Sequence, residues 1–340
     1  MLKSNFDSLL NFSRDKNILI TTHNLVDIDG LASCFVFKFI LNQLIDKPLI
    51  SLWFSELTKA SKEYMSKFME KFPDFNFNHK KEIEFSNFEL IFILDTNNLT
   101  QLEFPDNIDL NEQKIPFIFI DHHLDLKKEY PENESSLNLI IKNYSSTAEI
   151  LFDICEAYDL LLPLPYKILL TSAILTDSGF FKYGNNNSII RVSKLLDSNI
   201  KFQEILLLLK IEKEIPERVA KIKGIQRVKI IRHGNWLIGV TNVSSYESSV
   251  ATSLVEIGFD IGIVFSDKKS EFRISTRAKK KICLKTGLHL GRILEELSDE
   301  SISGGGHDGA ASLTGKKGQE DVIEKIIDKV KLSLNEKKLI

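Results

Sequence analysis

The first half of the chain is punctuated by short apolar runs without polar alternation: Ile18 to Thr22, Leu49 to Phe54, Leu90 to Leu94 and Phe117 to Ile120. Runs of this length, rich in Ile and Phe, have the character of strands covered on both faces. All but the second are followed directly by Asp or His. Between them lie patterns with helical spacing, Gly30 to Leu44 and Ala60 to Phe72. This alternation predicts an α/β protein whose N-terminal domain is built on a doubly wound, mainly parallel sheet. Helical patterns dominate from Thr147 to about Gly224, with a run from Asn187 through Lys210 that could cross between lobes. The pattern then changes. Arg227 to Ile231, the turn His233-Gly234-Asn235 and Trp236 to Val240 predict a hairpin. A helix near Tyr246 to Ile257 and strands over Asp260 to Phe265 and Glu271 to Thr276 follow. The expected organisation is a first domain over 1–185, a helical linker over 186–224, and a smaller C-terminal α/β domain with a mixed sheet over 225–340. An amphipathic helix from Asp321 to Leu334 ends it.

At 340 residues the chain is long enough for two domains, each with its own core. Lys and Arg number 44 against 47 Asp and Glu, a net charge of −3, so any polyanion must be met by a local patch rather than by the global field. Cys34, Cys155 and Cys283 lie far apart, with no spacing suited to a disulfide framework or a thiolate zinc site. No secretory signal is apparent, and the most apolar stretch, Leu160 to Thr176, is short and broken by Pro163, Pro165 and Lys167. A cytoplasmic protein without membrane contact is expected.

Ligands of open parallel sheets sit beyond the carboxyl ends of the strands. Here His23, Asp27 and Asp29 follow the first run, Asp95 follows the third, and Asp121, His122 and His123 follow the fourth. Further on, Ile174-Leu175-Thr176 leads into Asp177-Ser178-Gly179. Any one of these aspartates alone reads as a helix cap or turn residue. Delivered together to one edge, carboxylates about 4 Å apart repel by roughly 4 kcal/mol per pair at an effective dielectric near 20, so something positive must compensate. Mixed Asp and His donors suit Mn²⁺ above all, with Mg²⁺, Co²⁺ or Zn²⁺ as alternatives, and six such residues suffice for two divalent cations. A paired site of this kind polarises a phosphoryl oxygen and generates hydroxide at neutral pH.

A second group of residues lies near the C-terminus. Gly304, Gly305 and Gly306 precede His307, and three glycines before small residues read as a loop whose amides approach an anion, with a following helix N-terminus adding positive charge. In most proteins such a run is merely a flexible loop. Upstream, the alternation from Glu271 to Arg277 places Arg273, Ser275 and Arg277 on one strand face, and guanidinium groups grip phosphate well.

These segments together resemble the DHH phosphoesterase superfamily with its C-terminal associated domain. The resemblance rests on Thr22-His23, then Asp27-Ile28-Asp29-Gly30-Leu31-Ala32-Ser33, Leu94-Asp95-Thr96, Asp121-His122-His123, Thr176-Asp177-Ser178-Gly179 and Gly304-Gly305-Gly306-His307, in family order over residues 15 to 335. Val26 stands where the family commonly has proline, and Gly30 where many bacterial members have alanine. The resemblance implies that His23, Asp27 and Asp95 hold one Mn²⁺ and that Asp29, Asp95, His122 and Asp177 hold the other, Asp95 bridging. Asp121 would support the ligand shell and His123 would face the substrate. Arg277, Arg273, His307 and the three glycines would bind a substrate phosphate across a cleft. The implied activity is hydrolysis of short oligonucleotides or 3′-phosphoadenosine 5′-phosphate, with short single-stranded RNA or DNA or a small nucleotide as substrate. Alternatives are a RecJ-type single-strand exonuclease, a pyrophosphatase-like enzyme and an inactive nucleotide sensor. The resemblance also admits a homodimer. Phe180, Phe181 and Tyr183 read first as core residues and second as platforms for a base.

Overall fold

The computed structural model describes residues 2–105, 115–123, 137–196, 200–268, 271–299, 301–316 and 321–335. The chain divides into two compact units, Met1–Ile211 and Glu212–Ile340. Among the described residues no helix is long and apolar enough to cross a membrane.

The first unit runs α1 (Leu2–Ser13), β1 (Asn17–Thr22), α2 (Ile28–Leu44), β2 (Leu49–Leu52), α3 (Lys59–Lys71), β3 (Leu90–Leu94), β4 (Phe117–Asp121), β5 (Leu139–Ile140), α4 (Thr147–Ala157), α5 (Leu164–Asp177), α6 (Asn186–Leu195) and α7 (Phe202–Leu209). Its five strands form a wholly parallel sheet in the order β2-β1-β3-β4-β5. The two faces divide the apolar runs residue by residue, as a period of two requires. Ile18, Ile20, Phe92, Ile118 and Ile120 join the larger core with residues of α1, α2, α4 and α5, while Leu19, Ile91, Ile93, Phe117 and Phe119 meet Trp53, Phe85, Phe88 and Phe104 on the other face. Burying each such side chain contributes about 1.5–3 kcal/mol, which is why these runs carry no polar alternation.

Helix α2 starts because Asp27 caps it, its carboxylate accepting from the Gly30 amide at 3.0 Å. It is apolar on nearly every side because it is buried along most of its length, packed against α4 and α5.

The second unit runs α8 (Ile215–Gln226), β6 (Lys229–His233), β7 (Trp236–Asn242), α9 (Glu247–Glu256), β8 (Ile261–Asp267), β9 (Glu271–Ala278), α10 (Lys280–Thr286), α11 (Leu290–Glu295), β10 (Ile302–Gly306), β11 (Ala310–Lys316) and α12 (Asp321–Asn335). The sheet order is β10-β11-β9-β8-β7-β6, antiparallel except for the β7–β8 pair, so the expected mixed sheet is present.

The glycine run departs from its sequence reading. Gly304, Gly305 and Gly306 lie in the edge strand β10, and the chain turns through His307 to Gly309 into β11, so no helix follows them directly. Smallness serves packing at Gly304 and Gly306, a Cβ on the latter standing 2.5 Å from the Ala310 carbonyl oxygen. A Cβ on Gly291 of α11 would stand 2.0 Å from the Gly306 carbonyl oxygen, and one on Gly304 would stand 3.0 Å from the Leu294 carbonyl oxygen. Helix α11 thus seats directly on the backbone of β10, with the Gly291 amide donating to the His307 carbonyl at 2.9 Å.

Gly291→Ala is therefore expected to destabilise the second unit by about 1–3 kcal/mol, the usual cost of overpacking, read as a lower urea midpoint. Gly305→Ala, whose added Cβ meets nothing within 4 Å, should unfold like the parent. Equal midpoints for both variants would contradict this close helix–strand seating.

Candidate metal centre

The strand order reverses between β1 and β3, where ligands of open α/β sheets bind. Register does the rest. Thr22 pairs with Leu94 and Leu94 with Ile120, so His23, Asp95 and Asp121 stand side by side at the next level. Asp27 and Asp29 arrive on the first turn of α2. Asp177, grouped by its sequence pattern with the strand ends, is instead the last residue of helix α5. A buried helix of continuous apolar residues cannot be told from a buried strand by periodicity alone.

The six residues converge. Donor atoms of His23, Asp27 and Asp95 lie within 4.8 Å of one another, as do those of Asp29, His122 and Asp177. Asp95 links the two sets: its carboxylate oxygens are 3.6 Å from Nε2 of His23 and 3.6 Å from Nε2 of His122. His122 Nε2 is also 3.1 Å from Asp177, and His23 Nε2 is 3.7 Å from Asp27. The neighbouring hollow, about 390 Å³, is lined by His23, Asp95, Asn97 and His123 among others, and no described lysine or arginine lines it.

Outer contacts fix these groups. His23 Nδ1 lies 2.6 Å from the Asn24 carbonyl oxygen, which makes that nitrogen the donor and turns Nε2 toward the carboxylates. Asp29 is buried and accepts from the Thr147 and Ala148 amides at 2.8 and 3.1 Å and from the Ser33 hydroxyl at 3.2 Å. The Thr147 hydroxyl donates to Asp95 at 3.0 Å. The N-terminus of α4 thus holds two of the carboxylates. Buried Asp121 accepts from the His122 amide and faces His123 Nδ1, each at 2.8 Å, and the Asn97 amide group donates to the His123 carbonyl at 2.7 Å.

Thr147, Ala148 and Asn97 were not among the residues singled out by sequence. The pattern Ser146-Thr147-Ala148-Glu149 has the form of a capping box and announces a helix start, but not what that start faces.

Electrostatics record the crowding of charge. Burial lowers the pKa of His23, but the nearby Asp27 and Asp95 carboxylates and the Asn24 carbonyl outweigh it and raise it to about 10. His122 is likewise lowered by burial and lifted by Asp177, Asp95 and Asp29, to about 11. Burial pushes Asp95 up, yet the two imidazoles hold it well below the carboxylate range. Burial first, then the charges of Asp95 and Asp177, push Asp29 well above that range. His123 is raised chiefly by Asp121.

Two observations favour a cation here. His122 Nε2, buried 3.1 Å from Asp177 and 3.6 Å from Asp95, makes no well-aligned hydrogen bond to either, and the clustered Asp and imidazole donors, among them two sets of three, suit divalent ions.

In the second unit Arg277 lies on β9, paired with Ala310 of β11, so it stands next to the turn bearing His307. Its guanidinium donates to Ser248 of α9 at 2.7 Å, and the His307 ring is exposed. Arg273, four residues back, is engaged by Glu271 at 2.9 Å. The Gly304 amide already donates to Ser298 at 2.9 Å.

Residues 17–175 match the model of the DHH family, N-terminal domain, and residues 248–336 match the DHHA1 domain. An uncharacterized protein of Methanocaldococcus jannaschii is 30% identical over 326 residues, covering 95% of this chain and 94% of that protein. Among solved structures, an exopolyphosphatase-related protein from Bacteroides fragilis aligns with a TM-score of 0.63 at 17% identity over 97% of each chain. RecJ from Thermus thermophilus, in complex with Mn²⁺, aligns with a TM-score of 0.52 at 14% identity over 98% of this chain and 54% of its own. At such identities these structures speak for the fold. The family models, together covering most of the chain, carry the assignment: the chain belongs to the DHH phosphoesterase superfamily, with a DHHA1 domain in its C-terminal unit.

Proposed function

We propose that this protein is a divalent-metal-dependent phosphoesterase that hydrolyses short oligonucleotides or small nucleotides such as 3′-phosphoadenosine 5′-phosphate. The observation that carries this reading is the convergence of six Asp and His side chains in two sets of three, linked by Asp95. On this reading His23, Asp27 and Asp95 hold one cation and Asp29, Asp95, His122 and Asp177 the other, Mn²⁺ being the ion best matched to the donors. When bound, the pair supplies Lewis acidity toward a phosphoryl oxygen and neutralises the carboxylates.

The remaining residues bind, orient and move protons. Asp121 sits behind His123 and favours its protonated form, so the half-exposed imidazole offers an N–H to a substrate oxygen. Asn97 holds the backbone of His123 in place, and the N-terminus of α4 keeps Asp29 and Asp95 oriented. Arg277 and His307 are the proposed phosphate contacts of the DHHA1 domain, with Arg273, Gly304, Gly305 and Gly306 as secondary candidates. The Mn²⁺ held by the Thermus RecJ structure supports a divalent cation at this site.

The assay that tests this incubates the full chain with Mn²⁺ and dinucleotides, longer single strands, 3′-phosphoadenosine 5′-phosphate or pyrophosphate. Turnover of the short nucleotides, lost on chelation, is expected. Preference for pyrophosphate or for long strands would redirect the reading, and no turnover at all would defeat it. Asp121→Ala should cost about 10–100-fold in metal affinity or activity, as outer partners do, and Asp95→Ala should cost more.

Metal binding should also release protons. With His23 raised to about 10 and His122 to about 11, both imidazoles carry a proton at neutral pH that the cations must displace. Apparent Mn²⁺ affinity should therefore climb with pH through the neutral range, each loaded centre releasing about two protons from the imidazoles, and more if the raised Asp29 carboxyl also gives one up. Calorimetry in buffers of different ionisation enthalpy measures that number; zero release would mean that the site carries no displaceable proton at neutral pH.

A further inference from the structure

A second hollow adjoins the metal-ligand cluster and shares two of its residues. It measures about 250 Å³ and is lined by Ile28, Phe180, Leu209 and Ile211, with Asp27 and Asp177 on its wall. Those two carboxylates also line the polar hollow that contains His23, Asp95 and His123. A phosphate group held on the polar side would therefore have its substituent beside the apolar one.

The segment that builds this wall is unusual. Gly179, Phe180 and Phe181 follow one another with φ of 57°, 56° and 67°, all left-handed, where a bulky aromatic residue is strained. Phe181 packs against the core, but the Phe180 ring is turned outward and 53% exposed. The conformation is fixed by the Phe180 amide donating to the Leu175 carbonyl at 2.7 Å and by the Phe181 amide donating to the buried Ser178 hydroxyl at 3.0 Å. Core packing explains Phe181 and does not explain Phe180. A rigid turn that presents an exposed aromatic face beside an apolar recess, one residue group from the cluster, has the form of a stacking platform.

We propose that this hollow is a subsite for the nucleobase of a nucleotide substrate, with Phe180 as its stacking residue. The inference rests on the phosphoesterase reading above and narrows its substrate class to phosphoesters that carry a planar base. Pyrophosphate and polyphosphate have no apolar face and would leave the hollow unused.

The test compares a linear di-adenylate with the same phosphodiester lacking its bases, on the Mn²⁺-loaded full chain and on Phe180→Ala and Phe180→Trp. The parent is expected to favour the di-adenylate in kcat/KM by about tenfold, the contribution of one stacked ring. Phe180→Ala should erase most of that preference through KM, and Phe180→Trp should restore it, with thermal unfolding showing both variants folded. A parent that does not distinguish the two substrates, or a preference that survives Phe180→Ala, would overturn the subsite while leaving the phosphoesterase reading in place. If the parent hydrolyses neither compound, nor any substrate of the assay above, that reading fails. The subsite is then judged by calorimetric binding of adenosine 5′-monophosphate: weakening by Phe180→Ala supports it, and equal affinity overturns it.

Discussion

The concentration of negative charge at one edge of a parallel sheet is the constraint to which the N-terminal unit answers. Asp27, Asp29, Asp95, Asp121 and Asp177 come from five points of the chain and meet where the strand order reverses. At separations near 4 Å each pair of charges costs on the order of 4 kcal/mol at an intermediate dielectric, a large fraction of a domain's stability. The protein's own compensation is partial. The starts of α2 and α4 bring backbone amides to Asp27 and Asp29, and the imidazoles of His23 and His122 gather the protons that balance the rest. Divalent cations would do the same work with more charge in less space, which is the physical reason for proposing them.

That edge was legible in the sequence where strands end. Apolar runs give way to His23, Asp95 and Asp121 with no intervening residues, and a parallel register then makes them neighbours. Asp177 was legible as a residue but not as a place, because α5 is buried and apolar over most of its turns and its period is hidden. Thr147 was not legible at all. Its role depends on the N-terminus of α4 meeting Asp29, 118 residues away in sequence, and no local pattern encodes that meeting.

The glycines of the second unit show the same limit from the other side. Three in a row suggested open backbone for an anion, yet Gly304 is small because α11 lies on it, and Gly306 because its left-handed backbone runs against β11. A Cβ on Gly306 would meet Ala310 and Ala311, one on Gly304 would meet Leu294, and of the three only Gly305 looks onto open space. Composition reports that a backbone must be approached closely; it does not say by what. The features pointing to an anion are side chains, Arg277 and His307, placed close together by the pairing of β9 with β11.

Asp95 concentrates these arguments in one residue. It leaves β3 with φ of 59°, a left-handed conformation in which aspartate is tolerated at some cost, while its amide still donates to the Ile120 carbonyl at 3.0 Å. The backbone thus stays in the sheet as the conformation swings out of the strand direction. The Asp95 carboxylate lies 3.6 Å from both His23 and His122, between the two sets. Glycine would relieve the backbone and remove the carboxylate, and a β-branched residue would be strained there. The left-handed residue and the carboxylate between the two sets thus coincide: if both sets hold cations, the acidic group that would serve both is one held by its neighbours in a strained conformation.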